Sequence, residues 1–413
     1  MTHRSSLRWR FTMTELPNRN SVLILGEGRE GPLTAALKPS GKSLYHYSLG
    51  QRNLYWSVKF LLSLLKWMPT YGFARSHLLA LIDAINPTCV VTFEKTDEVG
   101  YLLDVSYALP ETKIISVQGN RFFESTHLHD HWGGGRRNIR ILTWGVNTIS
   151  AARDVGRLTR HLLPVGSLRA SLAKNAENLN SVPQLPWLVI MTANAFAGKS
   201  EKEQLINSQR YSISFEQLLK HLGELSRRLK IPLIFPRDVR AKSDVEAAAI
   251  QLLGQVSGAE CIFDVDYLRS LGCMVGPNWN SHASVLRSKV VIGVSSSLLW
   301  EAVSLQRPVV AVSFDDEPYH QFPPIIESSS WILRSPDSDS LARAIESAQE
   351  LDEESLRARR KLFGEYVVSA FDTSAATVLC DLVNDAAEFK CFDDMVTIDS
   401  LTHPYAKNWA QRL

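Results

Sequence analysis

The stretch KVVIGVSSSLLWEAVSLQRPVVAVSF, residues 289–314, constrains the fold more than any other. Val290, Val291, Ile292 and Val294 form a short β-branched run that predicts a buried strand. Leu298, Leu299, Ala302, Val303 and Leu305 then recur at helical spacing, Arg307-Pro308 closes the helix, and Val309 to Val312 read as a second buried strand. A β-α-β unit with such tight connections belongs to a parallel sheet. Ser295, Ser296 and Ser297 fall where the first strand ends and the helix begins. A helix start carries unpaired N–H groups and a partial positive charge, and hydroxyls beside free amides make a cradle for phosphate. One serine suffices as an N-cap, and three exceed what capping needs. Glu301 lies one turn further, on the face that could reach a ribose.

A chain of 413 residues is long for one domain and predicts two. Its 45% hydrophobic and 21% charged residues are an ordinary globular mix. A formal net charge of +2 is too balanced to argue for a nucleic-acid partner. The five cysteines are scattered, odd in number and without CxxC spacing, which predicts a reducing compartment with neither a disulfide framework nor a zinc site. The first twenty residues are basic without an apolar core, and no window approaches the ~18 apolar residues that span a bilayer. The expectation is a cytoplasmic protein.

Strand and helix alternate along both halves. Residues 21–25 (SVLIL), 89–93 and 113–117 read as strands, the first followed by the glycine-rich turn GEGREG and the last by Gln118, Gly119, Asn120 and Arg121. Residues 53–87 hold two helical patterns broken near Met68-Pro69, the first carrying Tyr55, Trp56, Phe60 and Trp67 among Lys59 and Lys66. Aromatics with lysines on a helix can lie at a membrane surface, but most aromatics are buried, so a core helix with solvated lysines is the expectation. His127, His129 and His131 alternate, but no further ligand accompanies them and GGG follows, so a polar loop is expected over a metal site. The polar, proline-containing residues 170–186 read as a linker, and WLVIM at 187–191 opens a second sheet. Residues 232–235 form another strand, ending in Arg237 and Asp238, either a salt bridge with a helix cap or a reactive pair. The expected layout is a basic tail (1–20), a first Rossmann-like domain (21–169), the linker (170–186), a second Rossmann-like domain (187–370), and a closing helix and tail (371–413). In such sheets ligands bind beyond the carboxyl ends of the strands, where Glu94, Asp97, Gln118, Asn120 and Arg121 fall.

With these pieces in order, the chain resembles the GT-B glycosyltransferase fold: two doubly wound domains facing a cleft, with a helix that closes the chain. More narrowly it is similar to bacterial transferases of surface-carbohydrate biosynthesis, which build capsule, O-antigen and lipopolysaccharide. The resemblance rests on INPTCVVTFEKTDEVGYLL, TKIISVQGNRF, LLPVGSLRASLA and, most specifically, SHASVLRSKVVIGVSSSLLWEAVSLQRPVVAVSF. It implies a nucleotide-sugar donor held by the second domain, with Ser295, Ser296 and Ser297 on its phosphates and Glu301 on its ribose. It implies an acceptor near Gln118, Gly119, Asn120 and Arg121, a growing glycan on a lipid carrier, and hence peripheral association with the inner face of the cytoplasmic membrane. Related enzymes use a CMP-activated keto-deoxy sugar (Kdo), and UDP-sugars are equally open. No permanently bound cofactor or metal is implied.

Glycosyl transfer builds oxocarbenium character at the anomeric carbon while charge develops on the departing phosphate. A helix N-terminus can stabilise that phosphate without a metal. An inverting reaction needs a base for the acceptor hydroxyl, for which Glu94, Asp97 or a loop histidine would serve. A retaining one could use Asp238 as nucleophile with His282 as helper and Arg237 beside it. Two competing readings stand next to the transferase: a nucleotide-sugar 2-epimerase, which needs acid and base groups but no acceptor, and a non-catalytic scaffold that binds donor and leaves it intact.

Overall fold

The structure, a computed structural model, describes residues 13–14, 16–17, 21–26, 31–47, 54–55, 57–93, 102, 104–119, 138–145, 162–174, 182–190, 203–237, 243–275, 279–294, 296–314, 332–361 and 375–385. By its internal packing the chain divides into one unit of Met1–Leu172 with Ala370–Leu413 and a second of Ala173–Ser369.

The first unit contains strands β1 (Met13–Thr14), β2 (Val22–Leu25), β3 (Leu44–Tyr47), β4 (Leu54–Tyr55), β5 (Cys89–Phe93), β6 (Ile114–Val117), β7 (Ile139–Thr143) and β8 (Leu162–Pro164). Six of them form a sheet in the order β3-β2-β5-β6-β7-β8, parallel throughout; β1 and β4 make a separate parallel pair. Every residue of β2, β5, β6 and β7 is buried. That is the pattern of a parallel sheet covered on both faces. The period of two sorts their side chains between two cores. Leu23, Leu25, Val90 and Ile114 pack with the Val58–Ile85 helix; Val22, Ile24, Val91, Ile115 and Val117 pack with the Pro32–Leu37 helix. The last described helix, Ala375–Asp385, returns to this second face and adds Ala375, Ala376, Leu379, Leu382 and Val383.

The second unit contains β9 (Leu188–Ile190), β10 (Leu233–Phe235), β11 (Cys261–Phe263), β12 (Val291–Gly293), β13 (Val309–Ser313) and β14 (Ile332–Arg334). The order β14-β13-β12-β9 is parallel, as is the pair β10-β11, and β10 lies against β9. After β9 the chain adds strands on one side and then returns to add β12, β13 and β14 on the other. The direction of winding therefore reverses between β9 and β12. Open α/β sheets bind ligands at the carboxyl ends of the strands beside such a reversal.

Several sequence expectations shift. Tyr55 belongs to β4 and not to the following helix, which starts at Val58 behind the cap of Ser57, whose hydroxyl accepts from the Phe60 amide at 3.3 Å. The break in that helix falls at Gly72 (φ 68°, ψ 168°) rather than at Met68-Pro69. Proline removes one donor, but the reversal needs backbone angles that only glycine enters readily. Phe60 is fully buried with Lys59 and Lys66 exposed, so this face of the helix is core. The start of the stretch read as linker is helical, Leu168–Lys174, with the Ser167 hydroxyl accepting from the Ala170 amide at 3.2 Å. Residues 27–30 of the GEGREG turn, the loop of His127, His129 and His131, and Asp97 lie outside the described residues. Among the described residues no helix is long and apolar enough to cross a membrane, and Cys89, Cys261, Cys273 and Cys380 are free thiols.

Candidate functional site

The serine turn sits at the winding reversal of the second unit. Gly293, last residue of β12, pairs in register with Ile190 at the end of β9. A Cβ on Gly293 would lie 3.1 Å from Leu299 Cδ1 and 3.4 Å from Ile190 Cβ. Glycine here lets the next helix close directly onto the strand ends. That helix, Ser297–Ser304, is capped by Ser296, whose hydroxyl accepts from the Leu298 amide at 3.3 Å. Ser297 is its first residue. Ser295 lies outside the described residues. The helix ends in a 6→1 turn: Arg307 N donates to Ala302 O at 3.0 Å and Gln306 N to Val303 O at 3.0 Å, with Gln306 left-handed at φ 56°.

Glu301, one turn into the helix, is buried, and its Oε2 lies 3.1 Å from His282 Nε2. The atoms meet at ion-pair distance without the alignment of a linear hydrogen bond. His282 stands at the start of the Ser281–Arg287 helix, which runs into β12 and so begins at the carboxyl edge of the sheet. Asn280 caps that helix, its Oδ1 accepting from His282 N at 3.0 Å and Ala283 N at 3.1 Å.

Asp264 organises the same edge. It follows β11 directly and is buried. Its Oδ1 accepts from the backbone amide of Arg237 at 3.0 Å, just past β10. Its Oδ2 accepts from Trp279 Nε1 at 2.9 Å and from the Ser284 hydroxyl. Trp279 Nε1 also reaches Ser284 Oγ at 2.9 Å. One carboxylate thus ties the end of β10, the approach to Asn280 and the helix of His282 into one network. Sequence reading finds His282, Glu301 and Arg237 but misses Asp264, Trp279, Asn280 and Ser284. An Asp directly after the short apolar run Cys261-Ile262-Phe263 marks a strand's end, but nothing local announces the partners it gathers.

In the first unit Gln118 and Gly119 do follow β6 at its carboxyl end. Gln118 is buried and engaged: its Oε1 accepts from Trp144 N at 2.8 Å and its carbonyl from Trp144 Nε1 at 2.9 Å. It clamps the end of β6 to that of β7. Asn120, Arg121, Glu94 and Asp238 lie outside the described residues. Among the described residues no group of three or more His, Cys, Asp or Glu side chains is placed to hold a metal ion.

No protein-family model matches the sequence, and no curated protein matches it. Solved structures do match its fold. A protein described as a UDP-N-acetylglucosamine 2-epimerase from Listeria monocytogenes superposes with a TM-score of 0.51 at 12% identity, over 89% of this chain and 96% of that one. The wall teichoic acid polymerase TagF superposes at 0.55 and 12% identity, over 90% of each chain. A second TagF structure, soaked with CDPG, superposes at 0.51 and 12% identity, over 92% of this chain and 90% of that one. The protein has the GT-B fold shared by these enzymes, α/β with two Rossmann-like domains of parallel strands.

Proposed function

We propose that the protein is a GT-B glycosyltransferase that takes a nucleotide-sugar at the carboxyl edge of its second unit and transfers the sugar to a surface-polysaccharide acceptor carried on a lipid. The observation that supports this best is the buried His282–Glu301 pair beside the Ser296-capped helix start at the winding reversal. The amides of the helix start and the hydroxyls of Ser295, Ser296 and Ser297 receive the donor phosphates, and the helix charge offsets the negative charge that grows on them as the glycosidic bond breaks. Glu301, oriented by His282, meets the ribose. Asp238, beside Arg237, and Glu94 supply the carboxylates for nucleophile or base, and Gln118, Gly119, Asn120 and Arg121 line the acceptor's side. CMP-Kdo and UDP-sugars are the donor classes in view.

The same pair also favours a second reading, a nucleotide-sugar 2-epimerase, because it places an acid–base couple within the donor unit, where no acceptor is required.

A thermal-shift screen with CMP, CDP, UDP and GDP tests the donor site. A nucleotide at about 100 times its Kd adds roughly 2.7 kcal/mol of stability. Stabilisation by one nucleotide supports the site, and none by any of the four sinks it. Ser297→Ala separates ligand contact from capping, since the cap bond is made by Ser296. A loss of about tenfold in nucleotide affinity, ~1.4 kcal/mol, is expected. Nucleotide release that needs a lipid-linked glycan identifies the transferase, sugar isomerisation without acceptor identifies the epimerase, and donor left intact with both identifies a scaffold.

A further inference from the structure

The first part of the Val58–Ile85 helix carries more exposed apolar surface than a solvated helix should. Val58 is 75% exposed, Leu61 45%, Leu62 62%, Leu65 60% and Met68 40%. These are five of the ten exposed large hydrophobic residues among those described. At 100° per residue they fall within an arc of roughly 120°. Phe60, Ser63 and Leu64, which are buried, occupy the opposite side. Scattered exposed apolar residues need no explanation, but a contiguous stripe does.

The charges around the stripe select its occupant. Residues 58–71 contain no Asp or Glu. Their only charged side chains, Lys59 and Lys66, are seven positions apart and so lie together along one edge of the stripe, both exposed; Lys59 Nζ donates to the Asp83 carbonyl oxygen at 2.5 Å and Lys66 Nζ lies 4.1 Å from the centre of the Trp67 ring. A second copy of the chain docked through this face would gather four lysines into one apolar patch with no acid from this segment to pair them. An anionic bilayer surface suits both features: the leucines enter the acyl boundary with the helix lying flat, and the lysines extend to lipid phosphates.

We infer that the Val58–Met68 face is a docking surface for an anionic lipid bilayer. It concerns a different surface from the nucleotide site and stands or falls without it.

The test is co-sedimentation of the full chain with vesicles containing phosphatidylglycerol, against vesicles of phosphatidylcholine alone. Wild type is expected to prefer the anionic vesicles and to be partly released by salt. Leu62→Gln with Leu65→Gln should weaken binding about tenfold or more, since each leucine leaves apolar contact. Lys66→Glu should weaken it roughly fivefold or more. Melting temperatures confirm that each variant folds; if the double variant does not, Lys66→Glu alone decides. Wild type that stays with the supernatant, variants that bind like wild type, or equal binding to both vesicle types would overturn the inference. So would a lipid-free dimer that the leucine substitutions dissociate, which would make the stripe a self-interface. Nucleotide-induced melting shifts in the same samples report on the donor site separately.

Discussion

Replacing Asp264 with asparagine changes one atom in size and shape, yet the geometry predicts a large effect. Three donors converge on this carboxylate: the Arg237 amide on Oδ1 at 3.0 Å, and Trp279 Nε1 at 2.9 Å with the Ser284 hydroxyl on Oδ2. Asparagine offers one acceptor oxygen and one NH2. With its oxygen toward Trp279 and Ser284, the NH2 faces the Arg237 N–H. With its oxygen toward Arg237, the NH2 faces the indole N–H, and only Ser284 can rotate to accept. Either orientation sets donor against donor in a buried place. An unsatisfied buried donor costs about 1–3 kcal/mol, and hydrogen bonds to a charged group are worth about 1.5–3 kcal/mol against about 1 for neutral ones. The expected loss is therefore about 2–4 kcal/mol, a large share of the ~5–15 kcal/mol that holds a typical domain. Urea unfolding followed by circular dichroism measures it. Nucleotide affinity should fall as well, because the network positions Asn280 and, through it, His282. A variant within about 0.5 kcal/mol of wild type, with nucleotide affinity intact, would refute Asp264 as the hub.

Three further substitutions test the packing. Gly223 lies in the Glu203–Leu229 helix where an added Cβ would come within 1.9 Å of the Ser257 carbonyl oxygen, so Gly223→Ala must push two helices apart; a loss of about 1–3 kcal/mol or more is expected in urea unfolding. Gln306→Gly relieves a left-handed residue whose backbone bonds are otherwise complete, and should raise stability by about 1 kcal/mol, seen as a higher Tm. Asp337 caps the Ser338–Gln349 helix, and hydrogen bonds from the Ser340 hydroxyl and amide hold its carboxyl below the usual carboxylate range. A depressed folded value means stability that is present above the unfolded value and lost as pH falls through the folded one. Asp337→Asn keeps a capping oxygen without that titration, so its Tm should fall less than that of wild type when the pH is lowered below about 4.

The legible part of the fold is what burial writes into local sequence. β2, β5, β12 and β13 are runs of β-branched and other apolar residues because both faces of their sheets are covered, and a run of that kind announces itself without any partner being known. The turn at 293–297 is legible for a similar reason, since a tight strand-to-helix connection selects glycine and capping serines. The Asp264 network is not legible in this way. Its members come from the end of one strand, the start of one helix and a loop, and nothing periodic joins them. Their relation exists only once β10 and β11 are paired and the Ser281–Arg287 helix is laid against them. Gln118 is legible only in part. Its place at a strand's carboxyl end can be read locally, but its contact with Trp144, a buried tryptophan at the neighbouring strand's end, is one that no local pattern announces.

The serine turn joins these two kinds of information. Three serines raised the question of capping or phosphate binding, and the geometry makes the two compatible. A hydroxyl has two acceptor lone pairs and one donor hydrogen. Ser296 spends an acceptor on the Leu298 amide, which leaves its hydrogen to be donated. Capping also fixes the helix start against the ends of β12 and β9, so the remaining amides of the first turn point to a defined place. Phosphate binding needs donors only, and a cap consumes an acceptor. The residue type that closes the helix is therefore the type that can still receive an anion. What a capping role alone does not require is the location: the turn is set at the reversal of winding, beside a buried His282–Glu301 pair whose side chains cap neither end of the helix.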